Sequence, residues 1–237
     1  MKNTCTALVF LTFGRRLGIS EIDPQHVGGA IPYFPLTGIL LGLILVLVNR
    51  LVGPYLESEI IGATLVAIQA LMTAAIYYTG LQETFDAFSI KTNFTGQTKI
   101  RSEVFGLLVI VLVVLLKVRS LEVIGETRHL SLLLTPMLAR WALVIFVYGS
   151  ASVAEGAARV IAEKVRAWHL LLTSVVTLGL ATYVLGEIGL WFGLYLSLFA
   201  LLSRSYLRKR NGCIGFDNFG AVVELSETLG FVLFASL

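Results

Sequence analysis

VFGLLVIVLVVLLKVRSL, residues 104–121, is apolar at nearly every position, and its reading decides the fold. A hydrocarbon core roughly 30 Å thick needs about 20 apolar residues to cross it as a helix, and this run meets that length. Similar runs lie at 36–51, 60–78, 130–148, 168–185, 188–202 and 219–237. Several are at the short end of the spanning range, so a segment that enters and returns on one side is the alternative to a crossing. Gly186-Glu187-Ile188-Gly189 forms a tight turn between two of them.

Composition agrees with these runs. Hydrophobic residues make up 57% of 237 and charged ones 14%, with mean hydropathy +0.85, far from the balance of a water-soluble domain. The expected fold is all-α: one polytopic membrane bundle over 1–237 with about seven transmembrane helices. MKNTCTALVFLTFGRR, residues 1–16, places its arginines after a short apolar core, the reverse of a signal peptide. It is expected as a retained interfacial helix.

Net charge is only +3, so the placement of the bases carries more information than their sum. With the N-terminus inside, most of the 18 Lys and Arg residues fall on one side, among them Lys91, Lys99, Arg101 and Arg208-Lys209-Arg210. Arg50, Lys117, Arg119 and Arg128 fall on the other, and Arg140 lies within the fourth run. The expected location is the cell membrane, multi-pass, with N-terminus and active site cytoplasmic.

Acidic residues point to the chemistry. TGLQETFDAF, residues 79–88, carries Glu83 and Asp86 at i and i+3, on one helix face and close enough to hold one divalent cation. The bland reading, a solvated helix end, has even weight for such a pair. Glu224 and Glu227 repeat the spacing inside the last apolar run, where an unpaired carboxylate is costly and invites a cation, a proton or a basic partner. Arg140, four residues after Pro136, is a counter-ion for these carboxylates, a ligand for substrate phosphate, or half of a structural ion pair.

Other motifs read as structure. Gly38-Ile39-Leu40-Leu41-Gly42 permits close helix packing. Cys5 and Cys213 belong to no CxxC spacing, and the scattered His26, His129 and His169 argue against zinc. Walker, Rossmann and GxSxG signatures are lacking, which removes the soluble nucleotide-enzyme readings.

The motifs taken together resemble the cobalamin synthase family, the adenosylcobinamide-GDP ribazoletransferases. Phe10-Leu11-Thr12 and the PYFPLTG of residues 32–38 look like the family's FLT opening and yFPlvG entry to its first membrane helix. Residues 79–88 resemble a shortened TGGLHLDGLADTADGL, with Glu83 and Asp86 at its last two acidic positions. Ile90-Lys91 is similar to its MKD region, Phe105-Gly106 to its FG, and Leu134-Thr135-Pro136 with Arg140 to its apxxxR helix. GCIGFDNFGAVVELSE, residues 212–227, resembles GGxTGDxxGAxxELSE and carries Asp217, Glu224 and Glu227. The chain departs from the pattern where HLDG is missing, where Ala87 replaces a glycine, and where the Asp of MKD has no clear counterpart.

The resemblance implies a Mg²⁺-dependent transferase that joins adenosylcobinamide-GDP to α-ribazole or its 5′-phosphate and releases GMP. It implies Glu83 and Asp86 as metal ligands, Asp217, Glu224 and Glu227 as further ligands or a base, and Lys91, Lys99, Arg101 and Arg140 as phosphate contacts. Membrane lipid is an expected partner, nucleic acid is not, and a homo-oligomer is left open. Two alternatives stand beside it: a family relative that binds a corrinoid or a partner without catalysis, and a small ion-coupled transporter using Glu224, Glu227 and Arg140.

Overall fold

The computed structural model describes residues 28–89, 91–92, 99–100 and 103–237. The expected N-terminal interfacial helix lies outside them, as do Arg101 and Cys5. Nine α-helices occur among the described residues: α1 Phe34–Val52, α2 Ser58–Met72, α3 Ile76–Asp86, α4 Glu103–Val123, α5 Arg128–Val147, α6 Gly156–Lys164, α7 Ala167–Leu185, α8 Glu187–Asn211 and α9 Asp217–Ala235. A two-residue antiparallel ladder, Lys91–Thr92 with Lys99–Ile100, joins α3 to α4.

The bundle is an all-α polytopic membrane fold, and α5 is its axis. Leu134, Met137, Leu138, Ala139 and Ala142 are all buried on that helix. Against it lies α1, whose Gly38 and Gly42 abut the backbone at Pro136 and Leu132, leaving no room for a Cβ at either position. The expected packing role of this GxxxG holds, since backbones that approach this closely gain dispersion contacts which lipid tails cannot supply. Around the outside, Leu107, Leu112, Val175 and Leu194 of α4, α7 and α8 are exposed, as lipid-facing side chains must be.

Among the described residues six helices are long and apolar enough to cross a membrane, and α2 with α3 makes a seventh crossing if the bent pair is one broken span. That pair is bent by 89° at residues 73–75, inside the expected 60–78 span. Contacts at both ends of α4 show that the bent pair still runs its full length. At one end Ser58 Oγ donates to the Glu122 carbonyl; at the other, the Gly106 N–H donates to Asp86 Oδ1 at 2.7 Å.

The break has a defined chemistry. Ala75 N–H bonds the Ala70 carbonyl and Ala74 N–H the Leu71 carbonyl, the paired bonds of a Schellman stop. Ala74 and Ala75 are left-handed, with φ 49° and 54°, a conformation that favours glycine. No Gly or Pro marks the spot, so sequence periodicity runs through it. The turn expected at residues 186–189 is present: Gly186 has φ 61° and α8 begins at Glu187. Near the opposite end, Ile214 forms a parallel bridge to Ala154, tying the α8–α9 loop to the loop before α6.

Candidate functional site

Two glycines place the first set of acids. A Cβ on Gly80 would collide with the Asp217 carbonyl, and one on Gly220 would press on Gly80 and Tyr77. Antiparallel α3 and α9 therefore cross in backbone contact, which brings Glu83 of α3 and Asp217 of α9 to the wall of one cavity of about 250 Å³. Thr84, Asn211, Cys213 and Asn218 line it too. Asn218 is held from both sides: its Nδ2 donates to Thr84 Oγ1 at 3.0 Å and its Oδ1 accepts from the Gly215 N–H at 2.8 Å. Asp217 opens α9, where the helix dipole favours a negative charge. Partial burial, and then the nearby Glu155 carboxylate, push the Cys213 thiol above its ordinary pKa.

Asp86 takes a different position. It is buried, with Oδ1 accepting from Gly106 in the first turn of α4, where backbone N–H groups have no partner inside their own helix. Glu83, one turn earlier, is exposed. The i and i+3 carboxylates thus share a helix but not an environment.

Glu224 and Glu227 enter a third. Lys117 Nζ donates to Glu224 Oε1 and, at 3.0 Å, to Glu227 Oε2. Arg140 Nη1 donates to Glu227 Oε1 at 2.7 Å and to the Pro136 carbonyl at 2.8 Å. Gln69 of α2 adds a bond from Nε2 to Glu227 Oε2 at 2.9 Å. None of the four residues is more than 2% exposed. Arg140 is thus paired with Glu227 inside the bundle.

Lys117 was missed at the sequence level. Lying near the end of the 104–121 run, it fits a side chain that reaches out to the far interface. In the structure it turns inward and is fully buried against Glu224 and Glu227. A lone Lys within a spanning segment was the signal. The backbone of Lys91 and Lys99 lies in the ladder between α3 and α4. Among the described residues, no group of three or more His, Cys, Asp or Glu is placed to hold a metal ion.

A second cavity, about 450 Å³, lies across Thr84 from the first. Phe85, Phe88, Phe105 and Tyr206 line it, with Arg210. Arg210 stacks on Phe88, 4.7 Å from the ring centre, and donates to the Phe88 carbonyl at 2.8 Å. One wall residue thus separates a polar, carboxylate-bearing chamber from an aromatic one.

The sequence model of a family described as cobalamin-5-phosphate synthase matches residues 3–235 of this chain. An adenosylcobinamide-GDP ribazoletransferase of Roseiflexus sp. (strain RS-1) is 30% identical over 229 residues, 94% of this chain and 85% of that one. One from Syntrophobacter fumaroxidans is 31% identical, covering 94% of each chain. One from Thermoanaerobacter pseudethanolicus is 29% identical over 100% of this chain and 98% of its own. No solved structure matches.

Proposed function

The chain belongs to the cobalamin-5-phosphate synthase family, and from that premise we propose that it is a membrane transferase of cobalamin biosynthesis. It joins adenosylcobinamide-GDP to α-ribazole or α-ribazole 5′-phosphate. A hydroxyl of the ribazole attacks the phosphorus nearer cobinamide, the bond from that phosphorus to the bridging oxygen breaks, and GMP leaves with the bridging oxygen. The attacking hydroxyl gives its proton to a carboxylate.

The supporting observation is the pair of chambers sharing Thr84. Exposed Glu83 and Asp217 offer hard oxygen donors beside the amides of Asn211 and Asn218. Mg²⁺ takes one or two protein carboxylates and leaves its other positions to water and substrate phosphate, so this donor set fits it. When bound, the ion would offset charge on the pyrophosphate oxygens. Glu83 and Asp217 would hold it, and whichever of them faces the hydroxyl takes its proton. Lys91, Lys99 and Arg101, on the connection from α3 to α4, would bind the phosphates. Phe85, Phe88, Phe105 and Tyr206 suit the flat base of the ribazole, in a chamber of ordinary ligand size. Asp86 fixes α4 to α3 and so supports that connection.

The distribution of charge supports a cytoplasmic placement of this end. Arg208-Lys209-Arg210 and the Lys91–Lys99 ladder lie at the cavity end, while Arg50, Arg119 and Arg128 remain at the other.

Purified protein in detergent, given adenosylcobinamide-GDP, α-ribazole 5′-phosphate and Mg²⁺, is expected to release GMP. EDTA stops the release and Mg²⁺ restores it. Asp217→Asn and Glu83→Gln each lower kcat by about 100-fold or more, whereas Phe105→Ala raises the KM for the ribazole and leaves that for the corrinoid. No GMP from the wild-type protein would refute the assignment.

A further inference from the structure

Four charges sit buried among the helices. Lys117, Arg140, Glu224 and Glu227 line neither the carboxylate chamber nor the aromatic one, yet they sum to zero and share three ion pairs. Glu227 is the hub, giving one oxygen to Arg140 and the other to Lys117 and Gln69. Both sides of the broken span reach this hub. Gln69 belongs to the last turn of α2 and also accepts from Lys117 at 3.4 Å. Tyr77 and Tyr78 open α3, their rings 5.4 Å from the Arg140 guanidinium and 5.7 Å from the Lys117 ammonium.

We propose that Lys117 is a positioning residue: with Arg140 it closes Glu224 and Glu227 into a neutral, buried lock that fixes the break between α2 and α3 and thereby sets Glu83 opposite Asp217. The proposal rests on the transferase reading for what the positioning serves. It assigns Glu224 and Glu227 to holding the helices, at a distance from substrate. Mechanically the link is short. The α2–α3 break is held in two left-handed alanines that helix propensity does not favour, so its angle depends on contacts made on either side. The lock supplies those contacts to Gln69, Tyr77 and Tyr78. Gly80, in the turn after Tyr77, fixes where α3 crosses α9, and Glu83 follows one turn later.

Charge pairing makes the proposal testable. Removing one member leaves its partner buried and uncompensated, which is strongly unfavourable, whereas removing an acid and a base together restores neutrality. The set is Lys117→Met, Glu224→Gln, the double variant Lys117→Met/Glu224→Gln, and Lys117→Arg. Three readouts apply: the thermal midpoint in detergent, kcat with KM for GMP release, and the rate of Cys213 alkylation by a maleimide in a Cys5→Ser background.

Each single neutralisation is expected to lower the thermal midpoint, cut kcat at least 10-fold and change the Cys213 rate, since that thiol lines the chamber. The double variant returns all three toward wild type, with kcat within about threefold, and Lys117→Arg retains more than Lys117→Met. A folded double variant as inactive as Glu224→Gln overturns the proposal, because Glu224 would then act on substrate or metal. Single variants indistinguishable from wild type overturn it equally. Should the wild-type protein release no GMP, the transferase reading falls by itself, and the lock is judged on the midpoint and alkylation cycle.

Discussion

Asp86 and Glu83 differ by one helical turn and end in different surroundings, which is the limit of what residue spacing reveals. The i and i+3 rule correctly puts both on adjoining parts of one face. It says nothing of Gly106, which arrives from another helix and takes the Asp86 carboxylate as its acceptor. The same limit hid Lys117. Glu224 and Glu227 were legible as costly buried acids in need of a partner, but the partner is more than a hundred residues away on a helix whose pattern reads as lipid-facing. A prediction follows for Asp86. An Asn there keeps an oxygen for the Gly106 N–H, so Asp86→Asn costs about 1 kcal/mol of stability and Asp86→Ala about 2–3 kcal/mol. Thermal unfolding in detergent checks the order. Equal losses of activity in both, with no loss of stability, would instead make Asp86 a metal ligand.

At the scale of elements, the apolar runs located the crossings but not the way one of them is built. Residues 60–78 read as one unbroken crossing, with helix continuing through Glu83 and Asp86, because Ala74 and Ala75 are good helix formers and carry no breaker signal. The break is imposed by tertiary contacts, with Gln69 on one side and Tyr77 and Tyr78 on the other drawn to the same charges. Ala74 occupies the position of a Schellman stop that glycine usually fills. Ala74→Gly is therefore expected to stabilise the fold by about 1 kcal/mol, the reverse of its effect inside a regular helix. A lowered thermal midpoint for this variant would show that the chain runs straight there. The nine-residue α6 was not foreseen, being too short and too polar to register against the longer runs. Nor does a periodicity argument see the crossing of α3 and α9, although the Gly80 and Gly220 that permit it are plain in the sequence.

For the whole molecule, hydropathy and the distribution of bases were enough to read an all-α membrane bundle with about seven crossings. What they could not supply is which acids meet. Glu83 and Asp217 line one cavity at the end of the bundle, and Glu224 and Glu227 are drawn into its centre by bases of opposite sign. With Lys117 withdrawn to the interior, the far end keeps fewer bases, and the predicted orientation sharpens: cavity end in the cytoplasm, C-terminus outside. Fusions of alkaline phosphatase after Leu237 should be active, and fusions in the 211–216 loop inactive; the opposite pattern would invert the bundle. The most direct measurement for the whole account compares GMP release by Glu83→Gln with release by Lys117→Met/Glu224→Gln. Loss of turnover in the first and near wild-type turnover in the second is the predicted result. Turnover in the first with none in a folded second would place the reacting groups at the centre of the bundle and contradict it.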